Sequence, residues 1–254
     1  MSKPQSERPS VKVSVIFPAL NEVESIEQVL KEIPPGVADE FLVVDGHSTD
    51  GTPELVRRLG FRVIEQEGTG YGRALATGFK HVQGDVVIPV DADGSCSLQD
   101  IPRLVARLQE GYDIALGSRY LPESGSEDDT IIRLIGNKGF TFLMNLLFGW
   151  GISDSLFFYA AIRRSVFESI TVRSRGCEYC VEFIIRAHQA GFRLGEIPSV
   201  EKRRIAGVSK VHAVMDGLRV LWVILQTLLR PEPRRQPPGR REMPSNDSNP
   251  PPKP

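Results

Sequence analysis

The feature that most restricts this chain is an alternation of short β-rich apolar runs with amphipathic helical segments. The runs are Val11–Phe17, Phe41–Val44, Phe61–Ile64, Val86–Val90 and Ile114–Leu116. Between them lie Ser25–Ile33, Pro53–Leu59, Gly72–Val82 and Leu98–Leu108, where apolar residues recur at three- and four-residue spacing. Strand-length runs separated by helix-length patterns predict βαβ units and an α/β fold, with a mainly parallel central sheet flanked by helices. In open sheets of this kind ligands bind beyond the carboxyl ends of the strands. Residues with chemistry to perform should therefore follow the runs directly.

Polar, turn-rich clusters stand at all five places. PALNE (Pro18–Glu22) follows the first run and DGHSTDG (Asp45–Gly51) the second. GTGYGR (Gly68–Arg73) follows the third, DADGS (Asp91–Ser95) the fourth, and Ser118-Arg119 the fifth. Ordinary turns explain any one of these, since Gly, Asp and Ser are turn formers. Five at one sheet edge predict a composite site.

The second half reads differently. Ile131–Phe148 is helical and apolar, a run around Ser155–Ile162 resembles a strand, and helical stretches follow near Cys177–Ala190 and Val211–Leu229. From Arg230 the sequence is rich in proline and polar residues, a composition that cannot build a core. The expected organisation is a polar extension over 1–10, one folded domain over 11–229 and a disordered Pro/Arg-rich tail over 230–254. A formal net charge of −1 gives no global attraction to nucleic acid. The polar first ten residues and the three cysteines, Cys96, Cys177 and Cys180, fit a cytoplasmic, reducing setting. No segment reaches the roughly 18–20 uninterrupted apolar residues of a membrane span.

Asp91 and Asp93 are the centre of the expected chemistry. A buried strand seldom ends in two carboxylates one residue apart without a cation, and Mg²⁺ or Mn²⁺ takes one or two carboxylates together with phosphate oxygens. A metal there can neutralise charge developing on a nucleoside diphosphate leaving group. The plainer reading is an Asx-type turn. Glu22 and Asp45 suit hydrogen bonding to base or ribose donors, or helix capping, and Asp50 or Thr49 looks like a helix cap. The glycine loop is neither a GxGxxG fingerprint nor a P-loop; it either offers amides to phosphate or simply turns the chain. Arg119, Arg133 and Arg204 are the anion-binding candidates, with Asn137 on the same helical face as Arg133. Arg203–Lys210 reads as a loop closing over a diphosphate, or as a solvated surface loop. The four histidines show no metal-ligand spacing.

The ordered series VSVIFPALNE, VVDGHSTDGT, GTGYGRALATGF, GDVVIPVDADGS, ALGSRY, IIRLIGNKGF and RRIAGVSK resembles family 2 glycosyltransferases of the GT-A fold, and within them the dolichol-phosphate mannose synthase group. The resemblance covers about Val13 to Lys210. It implies that Pro18, Ala19, Glu22, Asp45, Arg73, Asp91 and Ala92 border the nucleotide. Asp91 and Asp93 match the metal-binding DxD, and Ser95 falls where many relatives place a further metal contact. Arg119 and Arg133 match positions holding acceptor and donor phosphates, with Asn137 beside them, and Arg204 matches the arginine of the loop over the diphosphate. One departure is clear: relatives end the second strand in Val-Asp-Asp-Gly-Ser, whereas this chain has Gly46 and His47 after Asp45.

The implied reaction moves a hexosyl group from a nucleotide-sugar donor to a polyprenyl phosphate, with inversion. A phosphate nucleophile needs no general base; a hydroxyl acceptor would, and Asp154 is then the candidate. The competing readings are transfer to a soluble glycan hydroxyl and sugar-nucleotide binding without turnover. The apolar stretch from Phe140 to Trp150 is expected either at a membrane interface or in the core against Leu218–Leu229. Arg234, Arg235, Arg240 and Arg241 of the tail would favour an anionic lipid surface.

Overall fold

A computed structural model describes residues 11–207 and 213–233. Along the chain run β1 (Val13–Ala19), α1 (Ile26–Lys31), β2 (Glu40–Asp45), α2 (Thr52–Arg58), β3 (Arg62–Glu65), α3 (Tyr71–His81) and β4 (Val86–Pro89). There follow α4 (Ile101–Gln109), β5 (Ile114–Ser118), β6 (Gly125–Ser126), α5 (Ile131–Phe148), β7 (Ala160–Arg163), α6 (Arg164–Ser169), α7 (Glu178–Gln189), β8 (Leu194–Pro198), β9 (Val200–Glu201) and α8 (Ala213–Leu229). Among the described residues the main sheet has seven strands in the order β3-β2-β1-β4-β7-β5-β8, and β6 pairs with β9 in a small second sheet.

The sheet is parallel except at β7, which runs antiparallel to both β4 and β5. Every central strand is buried on both faces, as a helix-covered parallel sheet requires. Alternation along the strands divides the core in two. Val15, Phe17, Val43, Ile88 and Ala115 pack on one side with Ile26, Val29, Ile101 and Leu104. Ile16, Leu42, Val44, Val87 and Leu116 pack on the other with Leu75, Phe79, Phe183 and Ile184. A third, smaller cluster joins α5, α7 and α8 through Met144, Val181, Ile185, Val220 and Ile224.

The structure differs from the sequence reading at three places. The strand foreseen around Ser155–Ile162 is narrower, because only Ala160–Arg163 pairs; upstream, Phe157 and Tyr159 go into the core. The segment Leu194–Pro198, which no periodicity announced, is a sheet strand beside β5. Contacts to the folded domain also continue past residue 229. Glu232 pairs with buried Arg186 at 2.8 Å, and its N–H donates to Gln189. The 1–10 extension and tail residues 234–254, with all four tail arginines, lie outside the described residues.

Candidate functional site

The carboxyl ends of β1, β2 and β4 converge on Asp45, Asp91 and Asp93. Parallel pairing places Ala19 opposite Asp45 and sets β4 alongside β1. After β4 the chain turns at Gly94 (φ 82°). The Asp93 carboxylate accepts the Ser95 N–H at 2.9 Å, so the Asx turn expected as the plainer reading is present. Asp93 also forms an ion pair with Arg204 at 2.9 Å. Both roles coexist on one side chain.

Asp91 is held differently. Its Oδ1 accepts the Tyr71 hydroxyl at 2.7 Å. Loss of water around the carboxyl, and then the charge of Asp93, push it up to about 7. Two carboxylates one residue apart suit a hard divalent cation, which would offset their mutual repulsion. Among the described residues no group of three or more His, Cys, Asp or Glu could hold a metal by itself. A pair fits the case in which substrate phosphate completes the coordination. Ser95 contributes its backbone, with N–H on Asp93 and carbonyl accepting from Lys202. Ala92 is 2% exposed and its methyl belongs to the core, so any contact with a ribose is made through its backbone.

Arg204 arrives on the segment after β9. The Lys202 N–H donates to Ser95 O and the Ile205 N–H to Asp93 O, both at 2.9 Å. A Cβ on Gly94 would sit 2.5 Å from Ile205 Cδ1, so glycine permits this close approach. The segment thus lies across the DxD turn. Val208, Ser209 and Lys210 of the same motif lie outside the described residues. Opposite Ala206 and Gly207, a cleft is lined by Asn21, Glu22, Glu24 and Asp50.

Asp45 is 6% exposed. Its Oδ2 accepts the Ser48 N–H at 3.0 Å, while Oδ1 is buried without a hydrogen-bond partner among the described residues. A buried carboxylate oxygen left unpaired is costly and suits an N–H donor of a bound ligand. The departure at Gly46 has a steric basis: a Cβ there would lie 3.2 Å from both Ala19 O and Leu20 Cβ. His47, at φ 67°, bonds Glu65 Oε1 at 2.7 Å and Gly68 O at 2.9 Å. Pro18 and Ala19 are buried in β1. The Glu22 carboxylate accepts the Ser25 hydroxyl at 2.9 Å. Arg73 lies in the first turn of α3, its Cγ near Gly68. The N-cap of α2 is Gly51 rather than Asp50 or Thr49; Asp50, one residue earlier, accepts from the Thr52 N–H and hydroxyl.

The second group gathers at the end of β5. Arg119 is 8% exposed; its Nε donates to Asp154 at 2.7 Å, a terminal nitrogen to the same carboxylate at 3.0 Å, and the other to Glu201 at 3.0 Å. Burial pulls its pKa down, but these two carboxylates raise it above the ordinary arginine value. The Arg119 guanidinium is thus engaged by protein carboxylates on three of its N–H groups. Asp154 is correspondingly unsuited to act as a base, since it is 1% exposed and both oxygens accept from Arg119. Arg133 is more open: it pairs with Asp128 at 2.9 Å with its side chain 40% exposed. Asn137 donates to the Tyr120 hydroxyl at 3.1 Å, and Tyr120 follows Arg119 directly.

Residues 14–171 match the family model described as Glycosyl transferase family 2. The chain belongs to glycosyltransferase family 2. It is 34% identical over 205 residues to an uncharacterized glycosyltransferase of Mycobacterium bovis, covering 81% of this chain and 92% of that protein. It is 30% identical over 220 residues to a dolichyl-phosphate hexose transferase of Haloferax volcanii, covering 85% of this chain and 94% of that one. A solved glucosyl-3-phosphoglycerate synthase of Mycobacterium tuberculosis, bound to Mn²⁺, UDP and glucosyl-3-phosphoglycerate, superposes with a TM-score of 0.71 at 22% identity, covering 88% of this chain and 82% of that chain. The protein is therefore a glycosyltransferase with the GT-A fold, and the reading as a binding protein without turnover gives way.

Sequence reasoning passed over Tyr71, Glu201 and the clasp made by His47. Tyr71 stood inside a motif read for its glycines, and Glu201 meets Arg119 across 82 positions. His47 had a usable signal, since it occupies the place where relatives carry glycine.

Proposed function

We propose that this glycosyltransferase transfers a hexosyl group from a nucleoside diphosphate sugar to a polyprenyl phosphate at a membrane surface, with inversion. The observation that carries the acceptor is the outer face of α5. Ile131, Ile135, Phe142 and Leu146 are 67–76% exposed, and their spacing sets them on one helical stripe. Arg133 and Asn137 lie on the opposite face of the same helix. Neighbouring α8 presents Met215, Leu218, Trp222, Leu225 and Leu229 outward, each at least 46% exposed. Other residues of the same stretch, Phe140, Leu143, Met144 and Phe148, pack inward, as the core reading expected. Among the described residues no helix is long and apolar enough to cross a membrane, and two apolar stripes suit a chain lying on one. A cytoplasmic, peripheral location belongs to the same proposal.

A divalent cation held by Asp91 and Asp93, Mg²⁺ or Mn²⁺, would offset the charge of the nucleoside diphosphate as it leaves. Arg204, already against Asp93, supplies fixed positive charge to the diphosphate oxygens. The free Asp45 Oδ1 accepts from a base or ribose donor, and Pro18, Ala19, Glu22, Arg73 and the Ala92 backbone border the nucleotide. Arg133 and Asn137 hold the acceptor phosphate, while Arg119 braces that side of the cleft through Asp154 and Glu201. A phosphate monoester is mostly dianionic at neutral pH, with a second pKa near roughly 6. One of its oxygens bonds to the anomeric carbon as the carbon–oxygen bond to the diphosphate breaks. No proton need be removed, which agrees with the commitment of Asp154 to Arg119.

The test is a donor panel. Protein incubated with GDP-mannose, UDP-glucose and related sugars, with short polyprenyl phosphate and with or without Mg²⁺ or Mn²⁺, should yield a metal-dependent lipid-linked hexose by mass spectrometry. Donor binding with no lipid product from any sugar would overturn the acceptor assignment.

A further inference from the structure

The glycine loop leads into α3, whose first residue is Tyr71. We propose that Tyr71 is a positioning residue for Asp91, fixing the carboxylate so that Oδ2 is left to face a cation. The inference rests on the reading of Asp91 and Asp93 as the metal-holding pair.

Three observations converge on it. The Tyr71 hydroxyl donates to Asp91 Oδ1 at 2.7 Å across 20 sequence positions, tying the start of α3 to the end of β4. The glycines flanking it are required by packing. A Cβ on Gly70, at φ 105°, would lie 2.4 Å from Arg175 O, and one on Gly72 would lie 2.5 Å from Tyr179 Cβ. The Gly72 N–H donates to that same Arg175 carbonyl at 2.8 Å. The motif therefore brings the first turn of α3 close against the chain entering α7, and the residue between the two glycines is the one that reaches Asp91. Finally, the Tyr71 ring packs against the core cluster containing Tyr179, Cys180 and Phe183, which limits its rotamers.

With Oδ1 occupied by an O–H donor, the carboxylate loses rotation about its last bond. Supporting hydrogen bonds of this kind orient metal ligands, and their loss weakens metal affinity by about 10–100-fold. Asp93 is oriented by other groups, the Ser95 N–H and Arg204, so removing the Tyr71 hydroxyl acts on one ligand only.

The experiment measures Mn²⁺ affinity of the full chain by electron paramagnetic resonance, with UDP and with GDP present. Tyr71→Phe keeps the ring and removes the hydroxyl. We expect about 10–100-fold weaker Mn²⁺ binding, with transfer activity recovered as Mn²⁺ is raised. Val166→Ala, in the same core cluster but away from the DxD turn, serves as the packing control and should lower thermal stability without changing Mn²⁺ affinity. Tyr71→Phe binding Mn²⁺ within about twofold of wild type would overturn the proposal, as would a loss of affinity matched by Val166→Ala. Absence of Mn²⁺ binding by the wild type with either nucleotide would remove the metal reading itself, and that outcome is distinct from a wild type that binds and a variant that binds equally.

Discussion

Arg119 and Asp154 form a bidentate ion pair, Nε to Oδ2 at 2.7 Å and a terminal nitrogen to Oδ1 at 3.0 Å, with Asp154 wholly enclosed. The Arg119 N–H donates to the same carboxylate at 3.2 Å. The pair joins the end of β5 to the segment before β7 and, through Glu201, to β9. Arg119 stands in the GSRY motif, yet the geometry of the pair is that of a brace.

Breaking that brace should cost stability first. Removing one partner of a buried, hydrogen-bonded pair leaves an uncompensated charge and costs about 3–5 kcal/mol. Asp154→Ala should therefore shift the urea midpoint strongly. Full stability with activity lost would instead assign Asp154 to catalysis.

Arg204 is expected to behave in the opposite way. Its pair with Asp93 is partly open to solvent, so Arg204→Ala should alter stability by no more than about 1 kcal/mol. If it neutralises the diphosphate in the transition state, kcat should fall by about 10²–10³. Steady-state kinetics and thermal melting on one preparation separate the two effects.

His47 gives a pH-dependent prediction. Its bond to Gly68 O, then its bond to Glu65, raises its pKa in the folded protein. A raised folded pKa means that the clasp contributes stability fully below the unfolded value, about 6.5, and loses it as pH rises through the folded value. NMR titration should place the His47 midpoint above about 6.5, and Glu65→Gln should lower it. An unchanged midpoint in Glu65→Gln would show that Glu65 contributes nothing.

Glycines 70 and 72 test the packing of the loop. Gly72→Ala should destabilise by about 1–3 kcal/mol through overpacking against Tyr179. Gly70→Ala should cost more, because its Cβ would meet backbone and its φ of 105° disfavours a side chain. Denaturant midpoints rank the two.

Much of the fold was legible because it is local. The runs ending at Phe17, Val44, Ile64, Val90 and Leu116 marked five strands within a few residues, and the clusters after them lie at the sheet edge as open α/β sheets require. The reversed direction of β7 was not legible, since pairing of Val87 with Ile162 spans 75 positions and leaves no periodic trace. The same division runs through the site. Asp91 and Asp93 announce themselves by spacing, and Arg204 by its motif, and the three gather at one turn. The fate of Arg119 depended on carboxylates 35 and 82 positions away. An arginine bound to phosphate and one bound to protein carboxylates look alike until those partners are found.

The most direct test of the account is an acceptor competition. With the active donor and metal fixed, the protein would receive polyprenyl phosphate in anionic vesicles, 3-phosphoglycerate and a free oligosaccharide together, and each labelled product would be quantified. The account predicts that hexose passes to the polyprenyl phosphate, and that Phe142→Asp with Trp222→Asp lowers both vesicle binding and that product. Transfer to either soluble acceptor, with the lipid phosphate untouched, would contradict it.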